Sequence, residues 1–137
     1  MKVVLDTNVL VSALLTKGTP PDQLYRAWES GRFDLAISTW QIDELRRVLS
    51  YEKLRPYLNP VEASLLLENI DSMALIIEVS APRDESPDPD DNWILACAVI
   101  GKADLLVTGD KNDLLHLKKI ESVRIVTARE AIEQLEL

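Results

Sequence analysis

Two short apolar runs each end in an acid, and this constrains the fold more than any other feature of the chain. Asp6 closes Met1-Lys2-Val3-Val4-Leu5, and Asp110 closes Ala103-Asp104-Leu105-Leu106-Val107-Thr108-Gly109. Continuous apolar runs of this length read as strands buried on both faces, the kind found in parallel sheets covered by helices. In open α/β sheets ligands bind outside the carboxyl ends of the strands. Two acids at two such ends therefore predict a site together with a fold.

The rest of the chain repeats the same alternation. A strand at about 2–5 is followed by Val9, Leu10, Ala13 and Leu14 at helical spacing. Thr19 reads as the cap of a second helix with Pro20 in its first position, ending near Gly31. Phe33 to Ile37 predict a second strand, and Ser38-Thr39-Trp40-Gln41 matches a capping box for a helix to about residue 50, with Pro56 closing the region. Pro60 opens a helix to about Asp71, Ala74 to Val79 predict a third strand, and a proline-broken loop runs from Pro82 to Pro89. Asp88 can cap the next helix, in which Trp93 to Ile100 are apolar all round, as suits a helix packed on several sides. Strands at about 104–108 and 123–126 and a terminal helix from about Ala128 complete the pattern. The prediction is an α/β fold, a three-layer α/β/α sandwich around a mostly parallel sheet of about five strands.

A chain of 137 residues suits one domain spanning 1–137 that buries about two-thirds of its unfolded surface. The lone cysteine, Cys97, excludes an internal disulfide framework and reads as an inert thiol in a reducing compartment. No basic and apolar leader opens the sequence, and no apolar run approaches the ~20 residues that span a bilayer, so the expected location is cytoplasmic, away from membranes. The net charge of −8 argues against a general nucleic-acid coat, which must neutralise phosphates with Lys and Arg. It is compatible with acids gathered to hold divalent ions.

Four carboxylates stand out: Asp6, Glu44, Asp91 and Asp110. Asp6 precedes Thr7-Asn8 at a helix start, where it serves equally as an N-cap. Glu44 competes with Asp43. At ~100° per residue, Glu44 falls at the margin of the stripe made by Ile42, Leu45, Val48 and Leu49, and Asp43 points to water. A solvated Glu44 paired with Arg47 satisfies the same geometry. In Asp88-Pro89-Asp90-Asp91-Asn92, any one acid could simply complement the helix N-terminus. Asp91 shares a stripe with Leu95 and Ala98, which keeps it near the sheet and leaves Asp88 and Asp90 to capping and solvent. Asp110 follows Gly109 and fits a turn; Thr108 fits either a strand or a donor to metal-bound water.

In Val4-Leu5-Asp6-Thr7-Asn8-Val9-Leu10, Glu44, Asp91-Asn92-Trp93-Ile94-Leu95-Ala96-Cys97-Ala98 and Leu106-Val107-Thr108-Gly109-Asp110, in that order, nearly the whole chain resembles a PIN-domain nuclease of the VapC type, the toxin component of prokaryotic toxin–antitoxin pairs. The resemblance implies a PIN-like doubly wound sheet and a catalytic, metal-binding site of Asp6, Glu44, Asp91 and Asp110. It implies Mg²⁺- or Mn²⁺-dependent endoribonuclease activity, with phosphodiesters hydrolysed by a metal-activated water. An RNA substrate, a protein antitoxin and a homodimer are the partners it implies. All four acids are present. Trp93 and the acidic excess depart from the usual pattern and bear on substrate choice.

Carboxylates brought together repel one another unless a hard cation neutralises them, and Mg²⁺ prefers such oxygen ligands while keeping several waters. Thr7, Asn8 and Thr108 are supporting candidates. Arg46, Arg47 and Lys111 are candidate phosphate contacts, although surface cations need no special explanation. Two alternatives stand beside the nuclease. One is a different Mg²⁺-dependent phosphatase or phosphoryl-transfer enzyme, disfavoured because Asn8 occupies the second position of the Asp-x-Asp pair such phosphatases use. The other is a catalytically silent PIN-like module that binds RNA or protein.

Overall fold

A computed structural model of the chain describes residues 1–109 and 113–137. Asp110 and Lys111, both singled out in the sequence, lie outside the described residues.

The strands are β1 (Lys2–Leu5), β2 (Asp34–Ser38), β3 (Leu75–Ile77), β4 (Leu105–Val107), β5 (Lys119–Ile120) and β6 (Val123–Val126). The helices are α1 (Thr7–Leu15), α2 (Pro20–Glu29), α3 (Thr39–Leu49), α4 (Pro60–Met73), α5 (Pro89–Ile100), α6 (Leu114–Leu117) and α7 (Ala128–Gln134), with a 3-10 turn over Glu52–Tyr57. One sheet runs in the order β3-β2-β1-β4-β6-β5, parallel throughout except where β5 returns antiparallel on β6. The mostly parallel α/β architecture is the one predicted.

Alternation of side chains along the strands divides the interior in two. Val3 and Leu5 of β1, Leu35 and Ile37 of β2, and Leu105 and Val107 of β4 pack with α1, α2, α3, α4 and α7 on one face. Val4, Ala36 and Leu106 point the other way, onto Ile94, Leu95, Cys97 and Ala98 of α5 and Leu114 of α6. This is why Val3-Val4-Leu5 and Leu105-Leu106-Val107 carry no polar residue to alternate: both faces are covered. Burying a leucine or isoleucine of this kind contributes about 1.5–3 kcal/mol relative to exposing it. Among the described residues no helix is long and apolar enough to cross a membrane.

Three details depart from the sequence prediction. The sheet has a sixth strand, β5, joined to β6 by a tight hairpin in which Glu121 takes φ 51°. Such turns usually show Asn-Gly or Asp-Gly, and without that signal the hairpin is invisible in sequence. The capping box at α3 is half made. Ser38 Oγ accepts from the Gln41 N–H at 3.1 Å, but the Gln41 side chain turns away and donates Nε2 to the Leu5 carbonyl at 2.7 Å. A reciprocal box does form at α7, where Thr127 Oγ1 accepts from the Glu130 N–H and Glu130 Oε1 accepts from the Thr127 N–H. Thr19 precedes α2 as expected, yet its hydroxyl donates to the Thr16 carbonyl at 3.0 Å and leaves the helix end to Pro20.

The order of strands sets the position of the site. From β1 the chain steps outward to β2 and β3, then crosses back to place β4 on the other side of β1. The crevice beyond the carboxyl ends of β1 and β4 is therefore a topological switch point, where open α/β sheets bind their ligands.

Candidate metal centre

Asp6 and Thr108 are the first residues past β1 and β4, whose last residues, Leu5 and Val107, are register partners. The backbone continues the pairing one step further, with the Asp6 N–H donating to the Val107 carbonyl at 2.9 Å. Their side chains meet as well: Thr108 Oγ1 donates to Asp6 Oδ2 at 2.8 Å. Asp6 is the N-cap residue of α1 but accepts no side-chain cap hydrogen bond from it, so its carboxylate is turned toward Thr108 instead of the helix end.

Thr7 begins α1 and is buried, and its hydroxyl donates to Glu44 Oε1. Glu44 comes from the middle of α3, half-buried, with Asp43 exposed beside it. Burial pushes the Glu44 carboxyl above its ordinary value. The Thr7 hydrogen bond opposes this, the charges of Asp90 and Asp6 add to it, and Arg47 works against it.

Asp91 sits in the first turn of α5 with its carboxylate buried. Ser86, also buried, donates from Oγ to Asp91 Oδ2 at 3.2 Å and accepts from the Asp88 N–H at 3.1 Å. Asn92 fixes this loop by a reciprocal pair with Ser86, accepting from its N–H and donating to its carbonyl, each at 2.9 Å. The proline-broken loop is thus pinned to the helix it introduces.

These elements surround a cleft of about 270 Å³ lined by Asp6, Thr7, Asn8, Glu44, Arg47, Val48, Tyr51, Asp88, Asp90, Asp91 and Ile94. The structure brings Asp6, Glu44 and Asp91 together with Thr7 and Asn8. Arg47 is at the cleft, whereas Arg46 is exposed and absent from its lining. Thr108 reaches the cleft through its bond to Asp6.

Two further acids lie there that the sequence assigns to capping and solvent. Asp88 does cap α5, accepting from the Asp90 N–H at 2.9 Å, and the same folded-back carboxylate faces Asp91. Carboxylate oxygens of Asp88, Asp91 and Asp113 lie within 4.8 Å of one another, close enough to share an ion. Asp90, exposed at the rim, acts on Glu44 through its charge. Asp113 goes unnoticed in the sequence because it belongs to no apolar period, and its only signal is that it closes the segment following the fourth strand.

The donor set fits a hard divalent cation. Five carboxylates and one guanidinium line the cleft among the described residues, and all the candidate ligands are oxygens, which suit Mg²⁺ or Mn²⁺ and not a thiolate- or imidazole-seeking metal. Cys97 lies away from the cleft, buried in α5, where burial pushes its thiol up to about 12.

Comparison with known proteins bears on the fold and the family. Over 149 aligned residues, 99% of this chain and 92% of the relative, the sequence is 30% identical to an uncharacterized protein of Methanocaldococcus jannaschii. The fold is similar to a chain in the crystal structure of VapBC2 from Rickettsia felis bound to a DNA fragment from their promoter, with a TM-score of 0.60, 22% identity, and coverage of 93% of this chain and 98% of that one. The PIN domain family model matches residues 2–112, a span that takes in β1 through β4 and the cleft, and the chain belongs to the PIN domain family.

Proposed function

We propose that the protein is a cytoplasmic metal-dependent endoribonuclease, the toxin of a toxin–antitoxin pair, with Asp6, Glu44, Asp91 and Asp110 as its catalytic, metal-binding acids. One observation carries this reading: acids from the end of β1, from α3 and from α5 converge on one cleft at the switch point of the sheet. Membership of the PIN family and the likeness to the VapBC2 structure support it.

Asp6, Glu44 and Asp91, with Asp88 and Asp113 beside Asp91, are the residues that would hold Mg²⁺ or Mn²⁺. A bound divalent ion supplies charge neutralisation for carboxylates and phosphate together and acidifies a coordinated water. The chain's own contribution is placement. Thr108 and Thr7 orient Asp6 and Glu44 by donated hydrogen bonds, and Ser86 does the same for Asp91. Arg47 stands at the cleft as a donor to the phosphate of an entering RNA, and the buried Ile94 closes one wall against water. No Ser, Cys or His of the described lining is needed as a covalent nucleophile.

The test is cleavage of a mixed RNA panel and of a phosphomonoester by purified protein with Mg²⁺, Mn²⁺ or EDTA, alongside Asp6→Asn and Asp91→Asn. Metal-dependent RNA cleavage lost in both variants is the expected result. Phosphomonoester turnover in its place would make the protein a phosphatase, and RNA or protein binding without turnover would make it a silent PIN module.

A further inference from the structure

Asn8 lines not only the acidic cleft but also a second cavity of about 270 Å³ on the α1, α2 and α7 side of the sheet. Thr108 joins the two as well: its hydroxyl holds Asp6, and it forms part of the second cavity's lining. The chemistry of the two differs. Pro20, Pro21 and Leu115 give the second cavity apolar walls, and no carboxylate lines it among the described residues. Its polar groups are few, chiefly Asn8, Ser12 and Arg129. The side chains of Asn8 and Arg129 make no hydrogen bond or ion pair among the described residues, so both are available to a ligand.

We propose that this cavity receives one unpaired nucleobase of the RNA, that of a nucleotide beside the phosphate being cut. The proposal rests on the nuclease reading above and adds a subsite to it. Single-stranded RNA is recognised by splaying a base out of the stack, stacking it on an aromatic ring or a guanidinium plane, and hydrogen-bonding its edge to side-chain donors and acceptors. Arg129 offers the guanidinium plane, Pro20, Pro21 and Leu115 apolar walls against which the base leaves water, and Asn8 and Ser12 the partners for its edge. Charge points the same way. The acidic cleft repels RNA except where an ion sits, whereas the adjoining cavity carries a single positive group and no negative one among the described residues. A polyanion engaged at the cleft is therefore drawn to this side.

The test uses a short single-stranded RNA cut by the protein, with one abasic ribose moved position by position, and reads both cleavage rate and binding by fluorescence anisotropy. Base contacts of this type are worth about tenfold or more. The expected result is a loss of that size for an abasic ribose at one position next to the cut, with Ser12→Phe and Arg129→Ala lowering the rate on intact RNA and erasing the positional difference. Cleavage indifferent to the abasic position overturns the subsite and leaves the nuclease standing. Binding without cleavage overturns the nuclease, and the same series read by anisotropy then decides the subsite alone. RNA neither bound nor cut overturns both. A flat series in which Ser12→Phe instead frees the enzyme from an inhibitory protein makes the cavity a protein-docking site and overturns the proposal. Should Ser12→Phe fail to fold, the abasic series on the unaltered protein decides.

Discussion

The Thr108 hydroxyl donates to Asp6 Oδ2 at 2.8 Å, tying together through their side chains the ends of two neighbouring parallel strands. Asp6 is buried, so its carboxylate depends on such donors to stay oriented. Removing the hydroxyl while keeping the branched shape, Thr108→Val, is expected to lower metal-dependent RNA cleavage about 10- to 100-fold, the usual effect of losing a group that orients a metal ligand. Rates measured across a Mg²⁺ titration, with circular dichroism to confirm the fold, check this. A variant with unaltered rate and metal dependence would remove Thr108 from the site.

Acids this close together repel when ionised, as the upward push of Asp90 and Asp6 on Glu44 records. An ion that binds only the folded chain stabilises it by mass action, about 2.7 kcal/mol at a hundredfold excess over its Kd. Thermal unfolding with added MnCl₂ is expected to show a rising Tm, reversed by EDTA and absent in Asp91→Asn. A Tm shift of equal size in that variant would place the ion elsewhere.

Asp22 supplies a pH-dependent stability remote from the cleft. Burial by itself would raise its pKa, but hydrogen bonds from the Gly18 N–H and the Arg26 guanidinium, with the charges of Arg26 and Lys17, outweigh it and hold the carboxyl below its ordinary value. A depressed folded-state pKa contributes stability that is complete above the unfolded value of 3.8 and is lost as pH falls through the lower folded value. Asp22→Asn is expected to cost about 1–3 kcal/mol at neutral pH. Urea unfolding should show that difference shrinking as the solution is acidified below the ordinary carboxylate range.

Gly101 ends α5 where a side chain has no room. A Cβ there would stand 2.9 Å from the Cys97 carbonyl oxygen and 3.1 Å from Ile77 Cγ1. Gly101→Ala is expected to destabilise by about 1–3 kcal/mol, since neither a helix carbonyl nor a packed strand residue gives way freely. Chemical denaturation measures it, and an unchanged midpoint would mean that β3 shifts without cost.

The fold was legible because its strands are buried on both faces: Val3-Val4-Leu5 and Leu105-Leu106-Val107 cannot be placed comfortably anywhere but in a covered sheet. The small edge hairpin was not legible, since Glu121 carries none of the usual turn chemistry. Helical spacing correctly turned Glu44 inward and Asp43 outward, because one residue is a rotation of ~100°. It rightly left Asp88 to capping and solvent, but a capping side chain also folds back over the first turn, and spacing gave no sign that this carboxylate lies beside Asp91. Gln41 misled for a related reason. Its sequence position fits a capping box, yet its amide bridges to the Leu5 carbonyl and leaves Oε1 buried without a partner among the described residues, a tertiary contact that no local pattern encodes.

The register of the central strands has a consequence for motion. Asp6 and Thr108 follow the last residues of β1 and β4, and their own amides are bonded to the neighbouring strands, to Val107 at 2.9 Å and Val126 at 3.0 Å. These amides should be among the last to exchange with deuterium, opening only when the whole domain opens. Two of the groups that shape the cleft therefore hang from backbone that cannot loosen while the protein stays folded. A cutter built in this way gains no off position from these two residues, and restraint at them must come from covering the cleft or withholding what it binds.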